Sequence, residues 1–166
     1  MANDIELSRS ITAARRELLA LLDGVEESSL RETPSEEEWA VTDVLSHLVD
    51  VDYFYLSEAL ATCAYPGRQF SYFDDSRWKE LHRDVRNELG PSIIERLGRS
   101  HSAVVAAVEA LSPTELATPA THPRNIPYTV RDILMRLSTH DANHAEQIRT
   151  LLARPSTASN QERSRD

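Results

Sequence analysis

The chain has 166 residues, enough for one domain with a sizeable core, and its 40% apolar and 27% charged content is ordinary for a globular protein. A net charge of −9 argues against a nucleic-acid surface, which needs clustered Lys and Arg, and against docking on anionic lipid; no apolar run approaches the ~20 residues that span a bilayer. Met1-Ala2-Asn3-Asp4 lacks the basic and apolar regions of a signal peptide and Cys63 is alone, so the expectation is a cytoplasmic protein without disulfides, membrane or nucleic acid.

From about Asp4 to Asp23 the pattern is helical, with Leu7, Ile11, Ala14, Leu18, Leu21 and Leu22 on one face and Gly24 as the residue after the C-cap. Residues 25 to 38, polar and acidic with Pro34, read as a connection in which Glu36-Glu37-Glu38 is a solvated face. A second helix follows Trp39, with Thr42 as N-cap and Asp43 in its first turn. It runs to about Cys63 or Ala64, where Pro66-Gly67 ends it. Its stripe is Val44, Leu48, Val51 and Tyr55, bordered by His47. Asp50, one turn beyond His47, reads equally as a proton acceptor that orients an imidazole or as an exposed helix carboxylate.

Residues 65 to 75 form a loop holding Phe70, Tyr72 and Phe73, either a lid or a strap across the bundle. Ser76 to Leu89 is expected as a short helix with Trp78, Leu81 and Val85, stopped by Gly90-Pro91. Exposed aromatics near 70 to 78 would suit a homodimer. Ser92 then N-caps a third long helix to about Leu111, with Ile94, Leu97, Val104, Val105 and Val108 in its stripe. His101 shares that stripe; it reads as a fourth ligand, a supporting group or a core histidine, the last two being preferred because a catalytic site needs an open position. His82 and His122 are expected to be exposed. Residues 112 to 128 contain Pro113, Pro119, Pro123 and Pro127 and read as a semi-rigid irregular connection, with no strand-period segment in the chain. Thr129 caps the last helix and Arg154-Pro155 ends it, giving one domain over residues 1–154 and a disordered tail over 155–166.

That last helix, from about Thr129 to Leu152, carries the chemistry. Val130, Ile133, Leu134, Leu137, Ile148, Leu151 and Leu152 form one stripe at ~100° per residue, and His140 and His144 fall within it, one above the other. Buried polar groups need partners, and a shared divalent metal supplies one for both imidazoles at this spacing. Two imidazoles rarely complete a site, and His47 is the best third candidate. The competing reading for each is a hydrogen-bonded core histidine. Asp141, also in the stripe, is placed to accept a ligand's ring N–H, and Gln147, one turn past His144, to bind substrate or hold a metal-bound water. The alternative for both is an ordinary polar helix residue.

Four long amphipathic helices with unequal connections make an all-α four-helix bundle with long crossover connections, not a simple up-down-up-down array. In Glu38-Trp39, Val41-Thr42-Asp43-Val44-Leu45-Ser46-His47-Leu48 and Thr129-Val130-Arg131-Asp132-Ile133-Leu134, leading into His140-Asp141-Ala142-Asn143-His144-Ala145-Glu146-Gln147-Ile148, the chain resembles the DinB-like (DinB/YfiT-like) metalloenzyme family. The resemblance extends to about Ala153. It implies a four-helix bundle with a crossover connection and a metal triad at His47, His140 and His144. It also implies thiol chemistry, since some members resemble S-transferases that add bacillithiol or mycothiol to small electrophiles. A branch similar to mycothiol-dependent maleylpyruvate isomerase carries a carboxylate where His140 stands, and is the poorer model. Zinc is the metal expected first, with nickel or iron also suited to an all-nitrogen site. The alternatives are a hydrolase using metal-bound hydroxide with Asp50 as proton acceptor, and a non-enzymatic helical binding protein.

Overall fold

The computed structural model describes residues 5–33, 35, 38–81 and 89–154. In chain order the elements are α1 (Ile5–Ala20), α2 (Glu27–Arg31), α3 (Val41–Ala64), α4 (Asp75–Leu81), α5 (Gly90–Ala110), α6 (Pro113–Leu116), β1 (Pro119–Thr121), β2 (Pro127–Thr129) and α7 (Val130–Leu152). The long helices α1, α3, α5 and α7 form the bundle. Helix α1 packs on α7 and α5, and α3 packs on the same two, so α1 and α3 face each other across a diagonal. Ser8 at the start of α1 bonds Glu109 at the end of α5 (3.2 Å), so these two run antiparallel. Glu6 meets Arg131 at the start of α7, so α1 and α7 run parallel. His47, early in α3, meets His144, late in α7, so that pair is antiparallel. The order is up, down, down, up, with α1 and α3, and α5 and α7, on the diagonals and α3 beside α5: the crossover bundle that the connection lengths predict.

Two apolar clusters fill the interior. One holds Leu7, Ile11, Val51, Tyr55, Val104, Val108, Ile133, Leu134 and Leu137, the other Leu18, Val44, Leu45, Leu48, Ile93, Leu97, Ala145 and Ile148. Between them each long helix contributes one polar residue to a buried layer. Arg15 Nε and Nη2 donate to Asp141 (2.8 and 3.0 Å), its Nη1 and Nη2 donate to Asp52 (3.1 and 2.9 Å), and Ser100 Oγ donates to Asp52 (2.6 Å). Buried charges persist when paired and fully hydrogen-bonded, and this geometry also fixes the register of four helices at once.

Thr42 is not the N-cap of α3: Ala40 is, and the Asp43 carboxylate reaches back to the Ala40 N–H (2.8 Å), while Thr42 Oγ1 is buried without a partner. The carboxylate three residues into the helix did the capping. Gly90-Pro91 opens α5 instead of closing the preceding helix, with Leu89 as N-cap; proline fits the first turn, and a Cβ at Gly90 would come within 2.8 Å of Glu27 and 2.9 Å of Leu30. Ser92 therefore lies inside the helix. The expected short helix begins at Asp75, and its continuation through Val85 lies outside the described residues, as do His82 and the 155–166 tail. The proline-rich connection contains a hairpin, β1 pairing antiparallel with β2. Its strands are three residues long and begin at Pro119 and Pro127, the position a strand tolerates, so no alternation could develop. Gly24 has φ 75° as its C-terminal position requires, and Thr129 caps α7 by accepting from the Asp132 N–H (3.3 Å).

The aromatic loop is a strap. Its backbone bonds to β1 through Phe70 N–H to Thr121 O (3.1 Å) and Thr121 N–H to Arg68 O (2.9 Å), and Glu58 of α3 accepts from Ser71 N–H (3.1 Å). Phe70 and Trp78 are buried, leaving Tyr72 as the exposed ring among those expected to serve a homodimer. Among the described residues no helix is long and apolar enough to cross a membrane.

Candidate metal centre

The first nine residues of α3, Val41 to Val49, are buried on all sides, because this end of the helix is wedged between α5 and α7 and covered by Trp39 and Trp78. His47 is therefore fully buried although it only borders the apolar stripe. On α7 the i, i+4 spacing stacks His140 and His144 on the face toward α3. One ligand nitrogen from each of His47, His140 and His144 lies within 4.8 Å of the others. Ring centroids are 4.5 Å apart for His140 and His144, 4.9 Å for His47 and His144, and 5.1 Å for His47 and His140. The three sequence-predicted ligands come together.

All three are held neutral. Burial, reinforced by His144 and His140, pushes His47 down to about 2. Burial, then His144, Arg136 and Arg15, pushes His140 down to about 3. Burial also lowers His144 against the pull of Gln147 and Asp75. Neutral imidazole is the form that binds metal. Both ring nitrogens of His47 and Nδ1 of His140 are buried with no hydrogen-bond partner, an uncommon state for core histidines and the state expected of atoms reserved for a cation. His144 Nδ1 donates to Gln147 Oε1 (2.7 Å), which leaves Nε2 free as a ligand. Three neutral nitrogens suit zinc, nickel or iron(II), so the donor set fits the metal its pattern implies.

Aromatic rings enclose the cluster. Trp39 meets His47 edge-on at 4.9 Å and lies parallel to His144 at 6.2 Å, and Phe73 and Trp78 contact His47 at 5.1 and 5.2 Å. Asp50 lies outside the cluster and accepts from Trp78 Nε1 (2.7 Å), fixing this wall. Asp141 gives both oxygens to Arg15. His101 is not part of the cluster; it lies near the Arg15–Asp52 pair, with its pKa lowered by burial and then by Arg15.

Sequence reasoning missed the contributions of Asp75, Phe73, Trp78 and Arg15, and misplaced His122. Asp75, at the start of α4, places Oδ1 3.6 Å from His47 Nε2 while remaining 61% exposed, and its carboxyl is raised chiefly by burial. Phe73 and Trp78 reach the site only through the path of the strap, which no local pattern encodes. Arg15 had a legible signal, a lone cation at i+4 from Ile11 on an apolar face. His122, expected to be exposed, is buried: Phe70, Tyr72 and Tyr128 surround it, its Nδ1 accepts from Arg124 N–H (3.1 Å) and Nε2 donates to the Tyr72 hydroxyl. An open cleft of about 450 Å³ is lined by Trp39, Lys79, Gln147 and Arg154 among others, and two of these, Trp39 and Gln147, contact His144.

The model of the DinB superfamily matches residues 10–148. The chain belongs to the DinB superfamily. Its solved relatives share the fold at low identity. YfiT from Bacillus subtilis, described as a probable metal-dependent hydrolase with an unusual four-helix bundle topology, is 18% identical, with 88% of this chain and 83% of that one covered at TM-score 0.72. A mutant of mycothiol-dependent maleylpyruvate isomerase is 12% identical, with 86% of this DinB chain covering 59% of that protein at TM-score 0.67. The colibactin self-resistance protein ClbS, solved with dsDNA, is 16% identical, with 94% and 99% covered at TM-score 0.69. No curated protein matches the sequence.

Proposed function

We propose that this chain is a divalent-metal-dependent enzyme in which His47, His140 and His144 hold the cation, zinc being the first choice. We further propose that it transfers a low-molecular-weight thiol of the bacillithiol or mycothiol type to small electrophiles. The observation that carries the reading is the convergence of three neutral imidazoles, His47 fully buried and His140 and His144 half-buried, in which both nitrogens of His47 and Nδ1 of His140 lack a protein hydrogen-bond partner. A bound divalent cation would supply Lewis acidity, lowering the pKa of a thiol or water at its open position. The chain's own residues do the rest. Gln147 keeps the His144 proton on Nδ1. Asp50 holds Trp78 and so keeps water off the cluster, and Asp141, through Arg15, fixes α7 against α3. Asp75, at the edge of the site, takes the proton that a bound thiol gives up. The thiolate sulfur then forms its bond to the electrophilic carbon of the substrate, and the leaving group departs with the electron pair of the broken bond and takes the proton back from Asp75. A small molecule is favoured over dsDNA by the net charge of −9, and the solitary Cys63 fits a reducing, cytoplasmic setting. Nothing in this reading requires a homodimer.

Hydrolysis is the second reading, and Asp75 is the observation that favours it, since a carboxylate beside the cluster would deprotonate water as well as a thiol. Equilibrium dialysis with elemental analysis decides the metal: one ion per chain is expected, lost in His144→Ala with the fold retained. Full metal content in that variant would refute the triad, and no stoichiometric metal in the wild type would leave a non-enzymatic binding protein. His101→Ala is the control that keeps its metal. Incubation with a thiol and a chromogenic electrophile then separates transfer, which consumes thiol, from hydrolysis, which does not.

A further inference from the structure

Arg136 precedes His140 by one helical turn, so Arg136, His140 and His144 follow one another along one face of α7. Its guanidinium carbon stands 5.3 Å from the ring centre of Tyr55, buried in α3, and 4.5 Å from that of Tyr72 in the strap. The cation thus sits between a ring on the bundle and a ring on the strap. Its Nε is buried with no hydrogen-bond partner. Arg15, Arg68, Arg99, Arg149 and Arg154 each meet a carboxylate; among the described residues Arg136 meets none. In a chain with 27 acidic residues against 18 basic ones, a half-buried arginine left without an acid is unexpected. Its charge is nevertheless secure. Burial works against it, but hydrogen bonds to the neutral phenols of Tyr55 and Tyr128, with Tyr72 nearby, more than offset this and raise its pKa. Arg136 is also near enough to His140 to disfavour that ring's protonation.

We propose that Arg136 is the anion-binding residue of this site, taking the carboxylate of a small acid whose thiol or electrophilic carbon lies at the His47–His140–His144 cluster. The guanidinium fork matches a carboxylate in two parallel hydrogen bonds, which a point charge does not. Residues at i and i+4 are about 5–6 Å apart at Cβ. A short acid, with its carboxylate a few carbons from its reacting atom, suits that one-turn separation. The second half of the proposal rests on the metal reading; the first half does not.

The test uses cobalt-loaded protein titrated with 3-mercaptopropionate and with neutral 2-mercaptoethanol, followed by the sulfur-to-cobalt charge-transfer absorption. The acid is expected to bind the wild type about tenfold more tightly than the neutral thiol, the worth of one charge-assisted contact. Arg136→Met, which keeps an apolar stem between the two rings, should lose that preference while taking up cobalt and 2-mercaptoethanol as before. Equal affinities in the wild type, or a preference that survives in R136M, would overturn the proposal. Cobalt uptake, measured first, separates this from failure of the metal reading. If no cobalt binds, the ¹⁵N–¹H signal of the Arg136 side-chain Nε–Hε is followed in metal-free protein during titration with propionate. A saturable shift of a signal missing from R136M supports the anion site, and an unmoved signal refutes it.

Discussion

Replacing Arg15 by Met tests the polar layer that holds the four helices in register. The guanidinium makes four N–H···O bonds of 2.8 to 3.1 Å to two carboxylates, and Arg15, Asp52 and Asp141 are each 2–3% exposed. Breaking one buried ion pair by removing a partner costs about 3–5 kcal/mol. Here a single substitution strands two carboxylates, which also repel each other, so the loss at neutral pH is expected near the upper end, about 5 kcal/mol. For a chain of this length that corresponds to a fall in Tm of roughly 10–20 °C. The assay is urea unfolding of metal-free protein by circular dichroism, repeated between pH 7.5 and 5. Burial already raises the Asp141 carboxyl against the pull of Arg15, and without the arginine that rise is unopposed, so the folded variant gains protons as pH falls and the gap to the wild type narrows. A triple variant, Arg15→Met with Asp52→Leu and Asp141→Leu, should recover most of the loss, because apolar replacements leave no charge unpaired. A loss under about 1.5 kcal/mol, close to the worth of one ordinary hydrogen bond, or a gap that does not change with pH would refute this account of the layer.

Gln147→Leu preserves the three ligands but removes the acceptor of the His144 N–H, and metal affinity measured by chelator competition should fall about 10- to 100-fold, with Gln147→Glu restoring much of it. An affinity unchanged in the leucine variant would assign Gln147 to the surface. For metal-free wild-type protein, the depressed pKa values of His47 and His140, at about 2 and about 3, and the lowered one of His144 set the direction of its pH dependence. Above the ordinary histidine value near 6.5 these groups contribute no slope; below it the unfolded chain takes up protons that the folded one refuses, so stability falls by up to about 1.4 kcal/mol per pH unit for each. A denaturation profile flat from pH 7.5 to 5.0 would contradict three imidazoles held neutral in the fold.

How much of this was legible follows from how local each signal is. The last helix was read closely because its information lies within one stretch: Thr129 and Asp132 cap it, the apolar stripe sets its buried face, and the spacing of His140 and His144 does the rest. The starts of α3 and α5 were misplaced by two and three residues, because more than one nearby group can satisfy the same N–H groups and tertiary packing decides which does. The burial of His122 and the position of Asp75 had no local signature. Both follow from the strap, whose backbone pairs with β1 about fifty residues later in the chain. The polar layer falls in between. Arg15 and Asp141 each interrupt an apolar stripe, one with a positive and one with a negative charge, and charges of opposite sign inside two such stripes are a readable sign that the helices meet there.

The crossed connections also explain why a metal centre can exist in this bundle. In an up-down-up-down ring the second and fourth long helices are diagonal partners, with axes about 13 Å apart when neighbours lie ~9 Å apart. Histidines from those two helices would then have to meet at the bundle axis, the space the Arg15 layer occupies. Here α3 and α7 are neighbours. His47 and the His140–His144 pair therefore meet in the groove between adjacent helices, deep enough to lose their protons and close enough to the surface to adjoin the cleft at Trp39 and Gln147. The strap that the long third-helix connection anchors then supplies Phe73 to the same groove. Shortening either crossover to a hairpin loop would return the helices to sequential neighbours and separate the three imidazoles, so the long connections that a bundle does not need for stability are what this site needs to form.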